Sequence, residues 1–142
     1  MPGVKLILRE HFFWKISDRK EVIDLLDGIE ISTCSLDEDL ERADLVLFTT
    51  TTLAEEALMK SIPVWQIASV KSNFSSLRKI PQVKKIYSEK QLTDELLLAL
   101  ESEFSGRFSE KFIDSIERQC FFKCDGLAST RVADQIITIL NK

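Results

Sequence analysis

Ala43-Asp44-Leu45-Val46-Leu47-Phe48, running into Thr49-Thr50-Thr51-Thr52-Leu53-Ala54-Glu55-Glu56-Ala57-Leu58, decides the fold class. Five of the first six residues are apolar, and so continuous a run predicts a strand buried on both faces. The hydroxyl cluster then opens a helix over about Leu53 to Lys60. Pro63 leads into a further strand at Val64 to Ile67. Strand, helix and strand in succession give parallel strands joined by a crossover helix.

The same alternation extends in both directions. Upstream, Val4 to Leu8 reads as a strand, and Asp18 to Asp27 as an amphipathic helix stopped by Gly28. Ile29 to Ile31 is a short strand, and Ser35 caps a helix over Leu36 to Arg42. Downstream, Lys85 to Tyr87 reads as a last strand and Gln91 to Phe104 as a helix. Helices over Ser109 to Lys123 and Ala128 to Leu140 follow, separated by Asp125-Gly126. The expected class is α/β: a Rossmann-like parallel sheet flanked by helices, with a helical C-terminal tail. Residues 1–142 are expected to form one domain.

Composition narrows the function classes. Net charge is −4, which gives no broad basic face for nucleic acid. No apolar run approaches the roughly 18–20 residues that span a bilayer. Met1 to Lys5 lacks a charged-then-apolar export signal, so a cytoplasmic location is expected. Cys34, Cys120 and Cys124 make an odd count, read as reduced structural thiols. Cys120 and Cys124 lie one helical turn apart and are expected on a common helix face. His11 is the sole histidine, so neither a zinc set nor any other metal site is expected, and no cofactor. Four glycines accommodate no Gly-x-Gly-x-x-Gly or Walker loop.

In open parallel sheets ligands bind beyond the carboxyl ends of the strands. Three segments are expected at that rim: Arg9-Glu10-His11-Phe12, the threonine cluster, and Ala68-Ser69-Val70-Lys71-Ser72-Asn73. A helix N-terminus there attracts phosphate through its unpaired N–H groups. Thr52-Leu53-Ala54-Glu55 has capping-box form, with Thr52 accepting from the helix and Glu55 reaching back. Glu56 is left over. It reads as a ribose-binding carboxylate or, equally, as a solvated surface group. His11 reads as a phosphate donor or as a packing residue beside Phe12-Phe13-Trp14. Among Lys71, Arg78, Lys79, Lys84 and Lys85, only Lys71 is singled out as a ligand candidate; the others read as solvated.

Three motifs, in order, resemble the C-terminal nucleotide-sugar-binding half of GT-B glycosyltransferases. The nearest are the bacterial capsule and surface-polysaccharide enzymes, with the bacterial sialyltransferases related to them. Leu6-Ile7-Leu8-Arg9-Glu10-His11-Phe12 is similar to a strand ending in Lys-x-His-Pro. Ala43 through Pro63-Val64 is similar to an Ala-Asp strand, a Ser-Thr pair, Glu-Ala-Leu and Gly-Lys-Pro-Val. Cys124 through Ala133 is similar to Asp-Gly-x-Ala-Ser-x-Arg-Ile-Ala. The resemblance implies that His11, Thr51 and Thr52 contact the donor's phosphate and Glu56 its ribose or sugar. It implies a nucleotide-sugar ligand and stabilisation of the leaving phosphate by His11 and the helix terminus. Phe12 replaces the proline, and Ser61-Ile62 replace Gly-Lys. The family's acceptor-binding half, which carries the base, has no counterpart in these residues. The expectation is therefore a donor-binding half without turnover of its own, either a fragment of a longer enzyme or the partner of a separate acceptor-binding subunit, through which any peripheral membrane association would come. The alternatives are a non-catalytic α/β interaction or regulatory module, and a sugar-nucleotide epimerase-like half.

Overall fold

The computed structural model describes residues 4–11, 15–69, 75–101, 108–121 and 123–141. These group into two compact units, Met1–Arg42 and Ala43–Lys142. Both are α/β, with parallel strands flanked by helices.

In the first unit β1 (Ile7–Leu8) pairs in parallel with β2 (Glu30–Ile31), with Ile7 opposite Glu30 and Leu8 opposite Ile31. The expected helix over Asp18 to Asp27 is broken. A 3-10 turn at Ile16–Asp18, the four-residue α1 (Lys20–Ile23) and a second 3-10 turn at Asp24–Leu26 take its place. Arg19, with φ −99° and ψ 109°, interrupts the helical path at its start. Gly28, at φ 77°, turns the chain into β2. Next comes α2 (Leu36–Glu41), with the reciprocal cap that Ser35 and Glu38 predict. Its Asp39 joins the elements together. It accepts from Ser32 Oγ at 2.6 Å, Arg9 Nη1 at 2.7 Å and Arg42 Nη2 at 2.9 Å. Burial pushes the Asp39 carboxyl up, but the Ser32 hydroxyl and the two guanidinium groups outweigh it and hold it below the usual aspartate range.

In the second unit β3 (Val46–Phe48), β4 (Val64–Ile67) and β5 (Lys84–Ile86) form a parallel sheet in that order. Phe48 stands opposite Gln66, and Gln66 opposite Lys85. Val64, Trp65 and Gln66 are all buried, so the central strand is covered on both faces. β3 is not the fully buried strand its composition predicts. Phe48 is buried, but Leu47 is 37% exposed because β3 pairs on one side only within this sheet.

Helix α3 (Leu53–Met59) buries Ala54, Ala57 and Leu58 and packs on β3, β4 and α5 (Glu110–Ile116). Full burial of a leucine such as Leu58 contributes roughly 2–3 kcal/mol. α3 ends in a left-handed cap: Ser61 N–H bonds Leu58 O and Ile62 N–H bonds Ala57 O, each at 2.9 Å. Ser61 has φ 60°, the one positive value at a non-glycine among the described residues. Helix α4 (Glu89–Glu101) lies against β5, and Phe104 falls outside the described residues.

After α5 the helix widens over Glu117–Phe121 and stops, so Cys124 lies beyond it rather than on a face shared with Cys120. The Cys124 N–H instead donates to Glu117 Oε1 at 2.6 Å. Helix α6 (Ala128–Leu140) has the boundaries its sequence predicts. No helix among the described residues is long and apolar enough to cross a membrane.

Candidate functional site

The expected rim draws on both units. His11, exposed, follows β1 in the first; the threonine cluster and the exit of β4 belong to the second, and each is described within its own unit. Val70 to Asn73, with Lys71, and Phe12 to Trp14 lie outside the described residues. Arg9, which also follows β1, donates to Cys34 O at 2.9 Å and Asp39 Oδ2 at 2.7 Å. Its charge is thereby committed to the fold.

At the carboxyl edge of the β3–β5 sheet, Thr49 to Thr52 are exposed. The edge is held from below by Gln66, which is 1% exposed and donates Nε2 to Thr49 O at 3.0 Å. Sequence reasoning missed this residue. Its signal was a single polar side chain in the otherwise apolar strand Val64-Trp65-Gln66-Ile67. A buried amide persists only with partners, and here its partner is the first carbonyl of the threonine turn.

The capping box expected at Thr52 and Glu55 does not form. Thr52 already has helical backbone angles (φ −70°, ψ −18°), and its side chain caps nothing. A cap residue accepts through its side chain only from an extended backbone. Thr51 Oγ1 accepts from Leu53 N–H at 3.2 Å instead. Glu55, 7% exposed, turns inward and accepts from the Ser76 hydroxyl, tying α3 to the 3-10 turn Ser76–Lys79. The Cys120 thiol is near enough to feel that carboxylate; burial pushes its pKa up and Glu55 adds to the shift. Glu56, one residue on, is exposed. Of two adjacent carboxylates, the fold consumes one and presents the other to solvent.

Lys84, Lys85 and Arg78 are tied into the structure rather than simply solvated, whereas Lys79 is exposed as expected. Lys84 sits 4.7 Å from the centre of the Trp65 ring and pairs with Glu95. Lys85 Nζ donates to Ile80 O at 2.6 Å, and Arg78 Nη1 to Ser75 O at 3.1 Å. In the third motif, Asp125 accepts from Arg131 Nη1 at 2.7 and 2.8 Å and from Leu127 N–H at 3.0 Å. The Arg131 guanidinium, followed by that N–H, holds the Asp125 carboxyl below the usual range. The Asp-Gly and Arg spacing is thus accounted for by the turn that starts α6.

Among the described residues no group of three or more His, Cys, Asp or Glu side chains is placed to hold a metal ion. The geometry offers a hydroxyl-rich edge, suited to hydrogen bonding with a polar ligand, followed by a helix whose first turn carries the exposed Glu56. No protein-family model, curated protein or solved structure matches this chain.

Proposed function

We propose that this chain is a non-catalytic α/β module that binds a small polyhydroxylated phosphate compound, a nucleotide or sugar phosphate, at the carboxyl edge of β3–β5. One observation carries the reading. Thr50, Thr51 and Thr52 stand exposed on a turn whose first carbonyl buried Gln66 anchors, in the place where parallel sheets bind ligands, and Glu56 is exposed in the first turn of the helix that follows. Hydroxyls and one carboxylate match the hydroxyls of a ribose or sugar. Glu55, bound to Ser76, is spent on packing and does not serve proton transfer at that edge. The role is regulatory: binding changes the stability of the module without turnover.

A thermal-shift panel of CMP, UDP, GDP and their sugar conjugates tests it. Ligand at a hundredfold its Kd adds about 2.7 kcal/mol, a shift of roughly 9 °C for a chain of this size. At least one ligand is expected to give a saturable shift, Glu56→Ala to abolish it, and no product to form. If none shifts the wild type at millimolar concentration, the ligand-binding role is refuted.

A second reading is the donor-binding half of a surface-polysaccharide glycosyltransferase. Ser61 favours it: a left-handed φ of 60° falls in the turn where the resembled family carries Gly-Lys before proline. In this reading His11, Thr51 and Thr52 meet the donor phosphate, Glu56 its ribose or sugar, and a separate half supplies the acceptor site. A sugar nucleotide binding at least tenfold more tightly than its free nucleotide selects this reading. Epimerised product selects an epimerase-like half.

A further inference from the structure

We infer that the Gln91 side chain stands in for a neighbouring strand on β5 and so keeps that sheet edge closed to a second copy of this chain. The closure does not depend on the ligand proposed above. β5 is the last strand of its sheet among the described residues. Ala68 N–H donates to Ile86 O at 2.8 Å, so the Ile86 backbone groups face β4. Successive residues of a strand turn these groups to opposite edges, which leaves Lys85 C=O and Tyr87 N–H facing outward. One side chain takes both. Gln91 Nε2 donates to Lys85 O at 3.1 Å, and Tyr87 N–H donates to Gln91 Oε1 at 2.9 Å. A residue of a parallel strand opposite Ile86 makes the same pair of bonds, because a carboxamide carries the donor and acceptor of a peptide unit.

Helix capping does not account for this placement. Ser88-Glu89-Lys90-Gln91 has capping-box form, and Ser88 Oγ accepts from Gln91 N–H at 3.2 Å at the start of α4. In such a box the glutamine side chain returns to the N–H of the cap residue. Here it bridges Tyr87 N–H and Lys85 O on the strand instead. Edge strands are commonly guarded by lysines that project into the path of an incoming strand. In β5 those lysines are engaged within the chain. Lys84 pairs with Glu95 beside the Trp65 ring, and Lys85 Nζ donates to Ile80 O at 2.6 Å. The guarding therefore falls to Gln91. A bare edge offers its N–H and C=O groups to any extended segment, and β5 of another copy is always present at equal concentration. Val83, Ile86 and Tyr87 are strand-forming types, and Glu95 offsets the Lys84 charge, so two such strands are compatible once the amide is gone.

Sedimentation velocity and light scattering of the full chain from roughly 5 to 500 μM test this. Gln91→Ala and the equally long Gln91→Met both remove the amide. Each is expected to self-associate at a concentration about tenfold or more below that of the wild type, with an unchanged circular-dichroism spectrum. Adding Tyr87→Pro deletes the outward N–H, a change that an edge strand tolerates, and is expected to return both variants to wild-type behaviour. Folded Gln91 variants that associate no more than the wild type at the top of that range overturn the closure. Association that persists with Tyr87→Pro overturns it too, by placing the contact away from this edge. Loss of the fold in both single variants overturns it as well, since Gln91 then holds the fold together rather than guarding an edge.

Discussion

Replacing Ser61 with glycine is expected to stabilise the protein by about 0.5–1 kcal/mol, from its backbone conformation alone. Ser61 ends α3 at φ 60° and donates its N–H to Leu58 O, while the next N–H, from Ile62, reaches Ala57 O. Ile62 and Ala57 are both buried, so the turn cannot relax without exposing apolar surface. A side chain in the left-handed region costs roughly 1–2 kcal/mol, because Cβ crowds the following carbonyl. Glycine removes that strain but has more freedom to lose on folding, which returns about 0.5–1 kcal/mol. Near 60 °C the unfolding entropy of 142 residues is about 0.3 kcal/mol per kelvin, so the gain amounts to roughly 2–3 °C in Tm. Urea and thermal unfolding of wild type, Ser61→Gly and Ser61→Ala measure it. Alanine keeps Cβ and is expected within about 0.5 kcal/mol of wild type. If glycine is no more stable than alanine, strain at this cap is not what the substitution relieves, and the reasoning fails.

Two further substitutions probe the carboxylates. Glu55→Ala is expected to lower stability by about 2–3 kcal/mol through the lost Ser76 hydrogen bond and the cavity left behind, whereas Glu56→Ala should stay within about 0.5 kcal/mol; equal effects in urea unfolding would contradict the inward and outward placement. Asp39 supplies the pH dependence. Its folded-state carboxyl is held below its ordinary value, so its contribution is fully present above the unfolded pKa and is lost as pH falls through the lower folded one. Asp39→Asn is expected to cost about 1–2 kcal/mol at neutral pH and to flatten the acid limb of stability below the ordinary aspartate range, and an unflattened limb would assign acid sensitivity elsewhere.

The legible parts of the fold were those with local causes. Ser35 and Glu38 announced the cap of α2, and both ends of α6 followed from Gly126 and the apolar spacing. The parallel alternation from β3 to β5 was readable because apolar runs and helix signals each occupy a few consecutive residues. The same capping pattern at Thr52 and Glu55 misled, although its residue types matched. Ser76, 21 positions on, offered Glu55 a partner in a desolvated place, where a hydrogen bond counts for more than at an exposed helix end. The helix expected over Asp18 to Asp27 is interrupted at Arg19, whose extended backbone leaves only short helical turns on either side.

From residue order alone came the alternation of strands and helices and the hydroxyl-rich turn after Phe48. Periodicity and capping act over a few neighbouring residues and are written directly in the chain. Which of two adjacent glutamates faces the solvent, why Gln66 lies inside a strand, and that α6 is left bare were settled by tertiary structure. Burial of a side chain depends on the atoms brought around it by distant segments, and no local pattern encodes that environment.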